Sequence, residues 1–331
     1  MKKKLNKNLL GFIGRFTLLY AVTYTAVAIV FLNILNALPA SGHIGLDFFE
    51  PYSVSLTGTL AQLIIGVVIA LVLYPFYDNI VRGERGWLIL FAAMWGVVLL
   101  GSLHPKPGTI EGMLYTEITF AEHFLVIAAG AVQVLFFAWL FLRWEKWAAG
   151  VGGSSSSTTV EASKPEKSKG KVIRGYVGRY TLLHLLIYMV VGVLFYEISG
   201  YEEALATMEE FALWRPLENL VMPFVILFGQ VIRGGILALL LYPFYNTYIR
   251  KQHGWLLLFG LLFGLKVLAS VISVPETVDL FMQGLQDMKT GMPEITAQTL
   301  LFAWAFFIWE RRRIKKVTTA GCAATTRINN S

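Results

Sequence analysis

Leu73-Tyr74-Pro75-Phe76-Tyr77 returns as Leu241-Tyr242-Pro243-Phe244-Tyr245, 168 residues further on. A Gly-Trp pair follows each copy, Gly86-Trp87 and Gly254-Trp255. Before the first copy, Gln62, Gly66 and Ala70 stand four apart and so share one helix face. Gln230, Gly234 and Ala238 repeat them at the same distance from the second proline. The match extends outward in both directions. Gly11-Phe12-Ile13-Gly14-Arg15-Phe16-Thr17-Leu18-Leu19 parallels Gly175-Tyr176-Val177-Gly178-Arg179-Tyr180-Thr181-Leu182-Leu183, with six of nine positions identical. Downstream, Gln133 to Trp139 parallels Gln298 to Trp304, and Trp144-Glu145 parallels Trp309-Glu310. The chain reads as a duplicated module.

The solvent of that module is lipid. Of 331 residues, 56% are hydrophobic and 15% charged, against about 45–50% and about 25% in a soluble domain. Mean hydropathy is +0.61. A bilayer core needs about 20 apolar helical residues per crossing. Four such runs occupy the first copy, near 9–35, 56–77, 86–103 and 119–142. The first could pass for a signal peptide after Met1-Lys2-Lys3-Lys4. It is longer than a typical h-region and has a counterpart in mid-chain, so it reads as a retained span. The lone cysteine, Cys322, rules out a disulfide framework or a cysteine metal site within one chain.

Basic residues cluster beside alternate ends of the spans: Lys2, Lys3, Lys4 and Lys7; Arg82 and Arg85; Arg250 and Lys251; Arg311, Arg312, Arg313, Lys315 and Lys316. The other connections are acidic. The net charge of +7 thus fits the positive-inside pattern and implies no nucleic-acid partner. Both termini, and the Tyr-Pro-Phe-Tyr ends, face the cytoplasm of a plasma membrane. An even number of spans per copy gives both copies the same orientation. The expected fold is an all-α integral membrane protein of eight transmembrane helices. It forms two parallel four-helix repeats with a pseudo-twofold axis along the membrane normal, as in some carriers. Residues 1–149 form the first repeat and 172–316 the second. The Ser-rich stretch 150–171 is a flexible linker, and 317–331 a disordered cytoplasmic tail. Each internal proline predicts a kink near the end of its second span. Residues 202–215 and 276–289 have the spacing of short interfacial helices.

Ionisable groups inside spans are costly and mark function by default. At about 1.5 Å per residue, Gln230, Arg233, Lys266, Glu294 and Gln298 fall in the outer half of the second repeat. The first repeat has Ile65, Val98 and Ala129 at the three charged positions, so the polarity is an asymmetry on a symmetric frame. One reading is a site where Arg233 and Lys266 receive an anionic small molecule or lipid headgroup. The other is a structural pair in which Glu294 neutralises Arg233 or Lys266 and pins helices together. Gln62 and Gln133, with the small residues near them, read as helix packing. Arg15 and Arg179, near the inner boundary, read as holding lipid phosphates or helix carbonyls, or as a gate with Tyr77 and Tyr245. His104, His123, Glu117 and Glu122 lack the spacing of a metal motif, and nucleotide and hydrolase fingerprints are absent. No metal and no cofactor is expected.

Three classes of function remain open. The favoured one is a carrier or ligand-binding membrane protein. The second is a non-enzymatic scaffold, its partner a second copy or another membrane protein. The third is an enzyme acting on a lipid-linked anion at the outer leaflet, with Glu122, His123 and Glu294 as acid–base candidates.

Overall fold

Apolar runs with no water to bond their backbone close their hydrogen bonds internally, and the chain is accordingly helical. The computed structural model describes residues 2–37, 56–83, 85–100, 107–148, 166–199, 212–215, 222–268 and 278–329. Helix α1 is Lys2–Asn36 and α2 is Leu56–Leu73. A 3-10 turn, Tyr74–Phe76, joins α2 to a final helical stretch, Tyr77–Val81. Helix α3 begins at Gly86–Phe91, passes through a π-helical stretch Ala92–Gly96 and continues as Val97–Leu99. A short α4, Ile110–Tyr115, precedes α5, Phe120–Ala148.

The second half returns to the same forms. Helix α6 is Glu166–Ile198 and α7 is Met222–Leu241. A 3-10 turn Tyr242–Phe244 and a helix Tyr245–Arg250 come after α7. Helix α8, Gly254–Phe259, again runs into a π-helical stretch, Gly260–Leu268. The last helix, α9, is Val278–Asn329 and contains Pro293.

Among the described residues, five helices are long and apolar enough to cross a membrane: Leu9–Asn36, Leu60–Val81, Phe120–Ala148, Gly170–Ile198 and Pro223–Arg250. Gly86–Gly96 and Gly254–Leu265 are shorter apolar helices. Of the eight expected spans, five therefore have a helix of membrane length; the third span of each half is a shorter apolar helix, and the region of the last lies inside α9. The prolines take the first turn of a 3-10 segment, where the missing N–H costs least. Helix α9 runs on past Lys316 to Asn329. It also absorbs most of 276–289, and most of 202–215 lies outside the described residues.

In each half the first helix packs on the second and on the long fourth helix, α1 on α2 and α5, and α6 on α7 and α9. Phe12, Phe16, Phe137 and Phe141 fill the first contact, and Tyr176, Tyr180, Phe302 and Phe306 the second, all buried. Many edges meet faces, as in Phe16 on Phe137 at 4.7 Å and Tyr180 on Phe302 at 4.6 Å, the geometry that ring quadrupoles favour. Glycine sets the close crossings. A Cβ at Gly66 would meet Thr17 Cα at 3.1 Å, and one at Gly234 would meet Thr181 Cα at 3.2 Å. The outward faces are apolar: Phe136, Trp139, Leu186, Val190 and Phe228 are all exposed, as a lipid-facing surface requires.

The two halves share one buried core. Helix α2 lies on the π-helical stretch of α8, and α7 on that of α3. Phe76 meets Phe244 at 4.9 Å. Asn79 Nδ2 donates to the Pro243 carbonyl at 2.9 Å, and Thr247 Oγ1 donates to Asn79 Oδ1 at 2.8 Å. A Cβ on Gly96 would strike Leu240 Cδ1 at 2.7 Å, and one on Gly264 would strike Val72 Cγ2 at 2.4 Å. Asn79 thus supplies two polar contacts where the Tyr-Pro-Phe ends of the two halves meet. Asn79→Ala is expected to cost about 1–2 kcal/mol of stability, near one unit for each lost bond. Thermal unfolding of the detergent-purified protein measures it, and an unchanged midpoint would remove Asn79 from the joint's energetics.

Candidate functional site

Among the described residues, three constellations built on an arginine–glutamate pair interrupt the apolar interior. Two lie at the Tyr-Pro-Phe ends of the helices. In the first, Arg15 Nε donates to Glu145 Oε2 at 2.6 Å and Arg15 Nη2 to Glu145 Oε1 at 2.8 Å. Tyr77 Oη adds a third bond to Oε1 at 3.0 Å. In the second, Arg179 Nε donates to Glu310 Oε1. Tyr245 Oη reaches Oε2 at 2.6 Å, and Arg313 Nη2 reaches it at 3.1 Å. Each constellation ties together the first, second and last helix of its half. The two arginines and two tyrosines that the sequence singled out do converge. Each arginine is held by a buried glutamate.

The third constellation lies toward the opposite end of the helices, and the first half has Ile65 where this one has Arg233. Helix α7 brings Gln230 and Arg233, three residues apart, onto one face. Both are buried. Arg233 Nη1 donates to Glu111 Oε1, and to Gln230 Oε1 at 3.3 Å. An arginine only donates, so the Gln230 oxygen must face it. His184 Nε2, on α6, meets that same oxygen at 3.3 Å and must therefore carry the proton. The Gln230 amide in turn donates to Tyr115 Oη at 3.3 Å. Burial and the charge of Glu111 hold the Tyr115 pKa above its ordinary 10.0, so the hydroxyl stays neutral. Tyr188, one turn beyond His184, lies within electrostatic reach of Glu111, Arg233 and Glu294.

Helix α4 closes the site from above. It belongs to the first half yet packs on α7 of the second, with Leu114 so near Gly229 that a Cβ there would approach it to 2.8 Å. Thr109 caps α4 by accepting from Gly112 N at 2.9 Å. The chain after α4 is clamped by an antiparallel bridge between Thr116 and Trp214. Around that bridge, Glu117 N donates to the Leu213 carbonyl at 2.9 Å and Arg215 N to the Tyr115 carbonyl at 2.8 Å. The Tyr115 and Trp214 rings stack at 6.3 Å.

The expected site residues separate. Gln230 and Arg233 form the centre. Gln298 Nε2 donates to Glu294 Oε1 at 2.7 Å, one turn apart on α9, and that pair faces Gly192 of α6, whose Cβ would stand 3.6 Å from Glu294 Oε1. The backbone of Lys266 is in the π-helical stretch, but its side chain is outside the described residues. The carboxylate that neutralises Arg233 is Glu111, not Glu294. Gln133 is buried on α5, and Gln62 is half-buried on α2. Glu122 belongs to a capping box: Thr119 Oγ1 and Thr119 N donate to its Oε2 at 2.8 and 3.1 Å. His123 Nδ1 accepts from Gly108 N at 3.1 Å. Among the described residues no group of three or more His, Cys, Asp or Glu is placed to hold a metal ion.

Glu111, Tyr115, His184, Glu145 and Glu310 are partners that sequence reasoning missed. Glu145 and Glu310 had a signal, since Trp-Glu recurs in both halves beside the recurring arginines. Glu111 had none, because nothing in its neighbourhood points to a helix of the other half. Comparison with family models, curated proteins and solved structures gives no match.

Proposed function

We propose that this is a multi-pass membrane protein that binds a small anionic ligand at Arg233, as a carrier or a ligand-binding protein. The observation that carries the reading is a buried guanidinium inside an apolar span, ringed by Gln230, His184 and Tyr115 from three helices. A buried charge in a span is expensive and faces a partner or a pathway. The chain keeps this one only in its second half, where Ile65 occupies the matching position of the first.

The frame in this reading is two parallel four-helix repeats with eight spans about a pseudo-twofold axis along the membrane normal. Phe76 touching Phe244 supports it, because those residues are repeat equivalents 168 apart. Asn79 with Thr247, and the exchanged pairs Gly96–Leu240 and Gly264–Val72, support it in the same way. Contacts between equivalent residues, and exchanged pairs of this kind, are what a twofold axis relating two copies produces. Basic loops put both termini in the cytoplasm of the plasma membrane, and the Arg233 site in the outer half. In this reading Glu294 and Gln298 line the ligand's approach, and Lys266 is a further cation of the same half by its place in the sequence.

The test is thermal unfolding against a panel of carboxylates, phosphates and lipid headgroups, for wild type and for Arg233→Ala with Lys266→Ala. A ligand present at a hundredfold excess over its dissociation constant stabilises by about 2.7 kcal/mol. One compound that stabilises wild type but not a folded double variant supports the reading. A second reading is a membrane scaffold, favoured because Glu111 already neutralises Arg233. It holds if nothing binds and the double variant is merely less stable.

A further inference from the structure

The molecule contains its own comparison for what an arginine–carboxylate pair looks like when it is structural. Arg15 meets Glu145 side-on, with Nε on one oxygen and Nη2 on the other. Arg179 also spends its Nε on Glu310. Tyrosines complete both carboxylates. Arg233 is held differently. Its contacts to Glu111 and Gln230 both run through Nη1. Its Nε is buried and has no hydrogen-bond partner among the described residues; the Nε of Arg313 is also unpartnered, but that side chain is 37% exposed against 6% for Arg233. A buried donor left unmade costs the group its full desolvation, and the edge that carries it is the one the other two arginines use to grip a carboxylate. The residue that approaches Arg233 comes from α4, a helix of six residues, whereas Glu145 and Glu310 sit within long helices.

We infer that the ligand of this site carries a carboxylate, and that Glu111 is a resident carboxylate which the ligand displaces. On binding, the ligand's two oxygens take the Nε edge and a terminal nitrogen of Arg233, in the fork geometry that suits a planar carboxylate. Glu111 then withdraws with α4, which breaks or shifts the contacts of Tyr115 with Gln230 and Trp214. The inference rests on the proposal that Arg233 is a ligand site, and adds to it the ligand class and an internal competitor.

A competitor lowers apparent affinity by the fraction of molecules in which it is away. Removing its charge must therefore tighten binding. The experiment titrates benzoate, hexanoate and succinate, with inorganic phosphate and methylphosphonate in parallel, against the full-length protein in detergent. It reads the shift of the unfolding midpoint for wild type, Glu111→Gln and Arg233→Lys. Glu111→Asp, which keeps the charge but shortens its reach, replaces Glu111→Gln if that variant does not elute as a folded species. The expected result is saturation by at least one carboxylate, at a concentration roughly tenfold or more lower in the Glu111 variant than in wild type. Arg233→Lys, which keeps the charge but not the fork, is expected to show no shift. Equal saturation in wild type and the Glu111 variant overturns displacement while leaving an anion site. Shifts with phosphate or phosphonate but none with carboxylates overturn the ligand class and also leave the anion site. No shift in any folded variant with any probe overturns both this inference and the function proposed for Arg233.

Discussion

Arg15→Ala is expected to destabilise the protein by about 3–5 kcal/mol, the range for breaking a buried ion pair from one side, and Arg179→Ala by roughly half of that. The two arginines hold equivalent places, so the difference must come from what each leaves behind. Without Arg15, the Glu145 carboxylate is 3% exposed and keeps a single bond, from Tyr77 at 3.0 Å. Without Arg179, Glu310 keeps Tyr245 at 2.6 Å and the second cation, Arg313, at 3.1 Å. The position matching Arg313 in the first half is Ala148, which offers no such reserve. Replacing both partners, Arg15→Met with Glu145→Leu, is expected to recover most of the loss, because the uncompensated charge is then gone. Unfolding midpoints of the purified variants decide the matter. Equal losses at Arg15 and Arg179 would contradict the role assigned to Arg313.

Gly86→Ala and Gly254→Ala are expected to abolish the folded protein, each costing more than about 4 kcal/mol, a size confined to severe core defects. Neither glycine is needed for an unusual backbone angle; among the described residues only Gly108 has a positive φ. The reason is contact. A Cβ on Gly86 would lie 1.7 Å from the Ile80 carbonyl oxygen, and one on Gly254 would lie 1.6 Å from that of Tyr248. Both obstacles are backbone, so no rotamer relieves the overlap and the second and third helices would have to part. Gly14→Ala and Gly178→Ala serve as controls. Neither new methyl meets an atom within 4 Å, and alanine in a helix is favoured over glycine by about 0.5–1 kcal/mol. Membrane abundance and a monodisperse elution profile separate the two outcomes. Normal accumulation of Gly86→Ala would mean that the turn joining α2 to α3 is built differently.

The recurrence of Gly-Trp after Tyr-Pro-Phe-Tyr was visible in the sequence, but its cause was not. The tryptophans draw the eye, yet Trp87 is half exposed and the constrained member of the pair is the glycine. Likewise, the matched prolines foretold an interruption of each second helix. The interruption takes the form of a 3-10 turn, whose Phe76 and Phe244 rings then face each other in the shared core. The fourth span of the second half was less legible. Charges and Pro293 fall inside a helix that runs without a break from Val278 to Asn329. The candidate site was half legible. Gln230 and Arg233 stood out because charge inside an apolar run is rare. Glu294 was the natural carboxylate to assign by depth along its helix, but depth says nothing about which helix faces which.

Local composition and period were enough to dictate the helices and to mark the costly positions along them. Apolar runs of membrane length must be helical, since lipid offers the backbone no other partner. Recurring motifs mark equivalent helices, and a lone arginine within such a run marks an expensive position. Pairing was settled in three dimensions. Glu145 lies 130 residues from Arg15, and Glu111 lies 122 residues from Arg233 and in the other half of the chain. Neither partner is specified by spacing or hydropathy. Each is chosen by the crossing of helices whose packing places one carboxylate, and not its neighbours, within reach of a buried guanidinium that has no water to turn to.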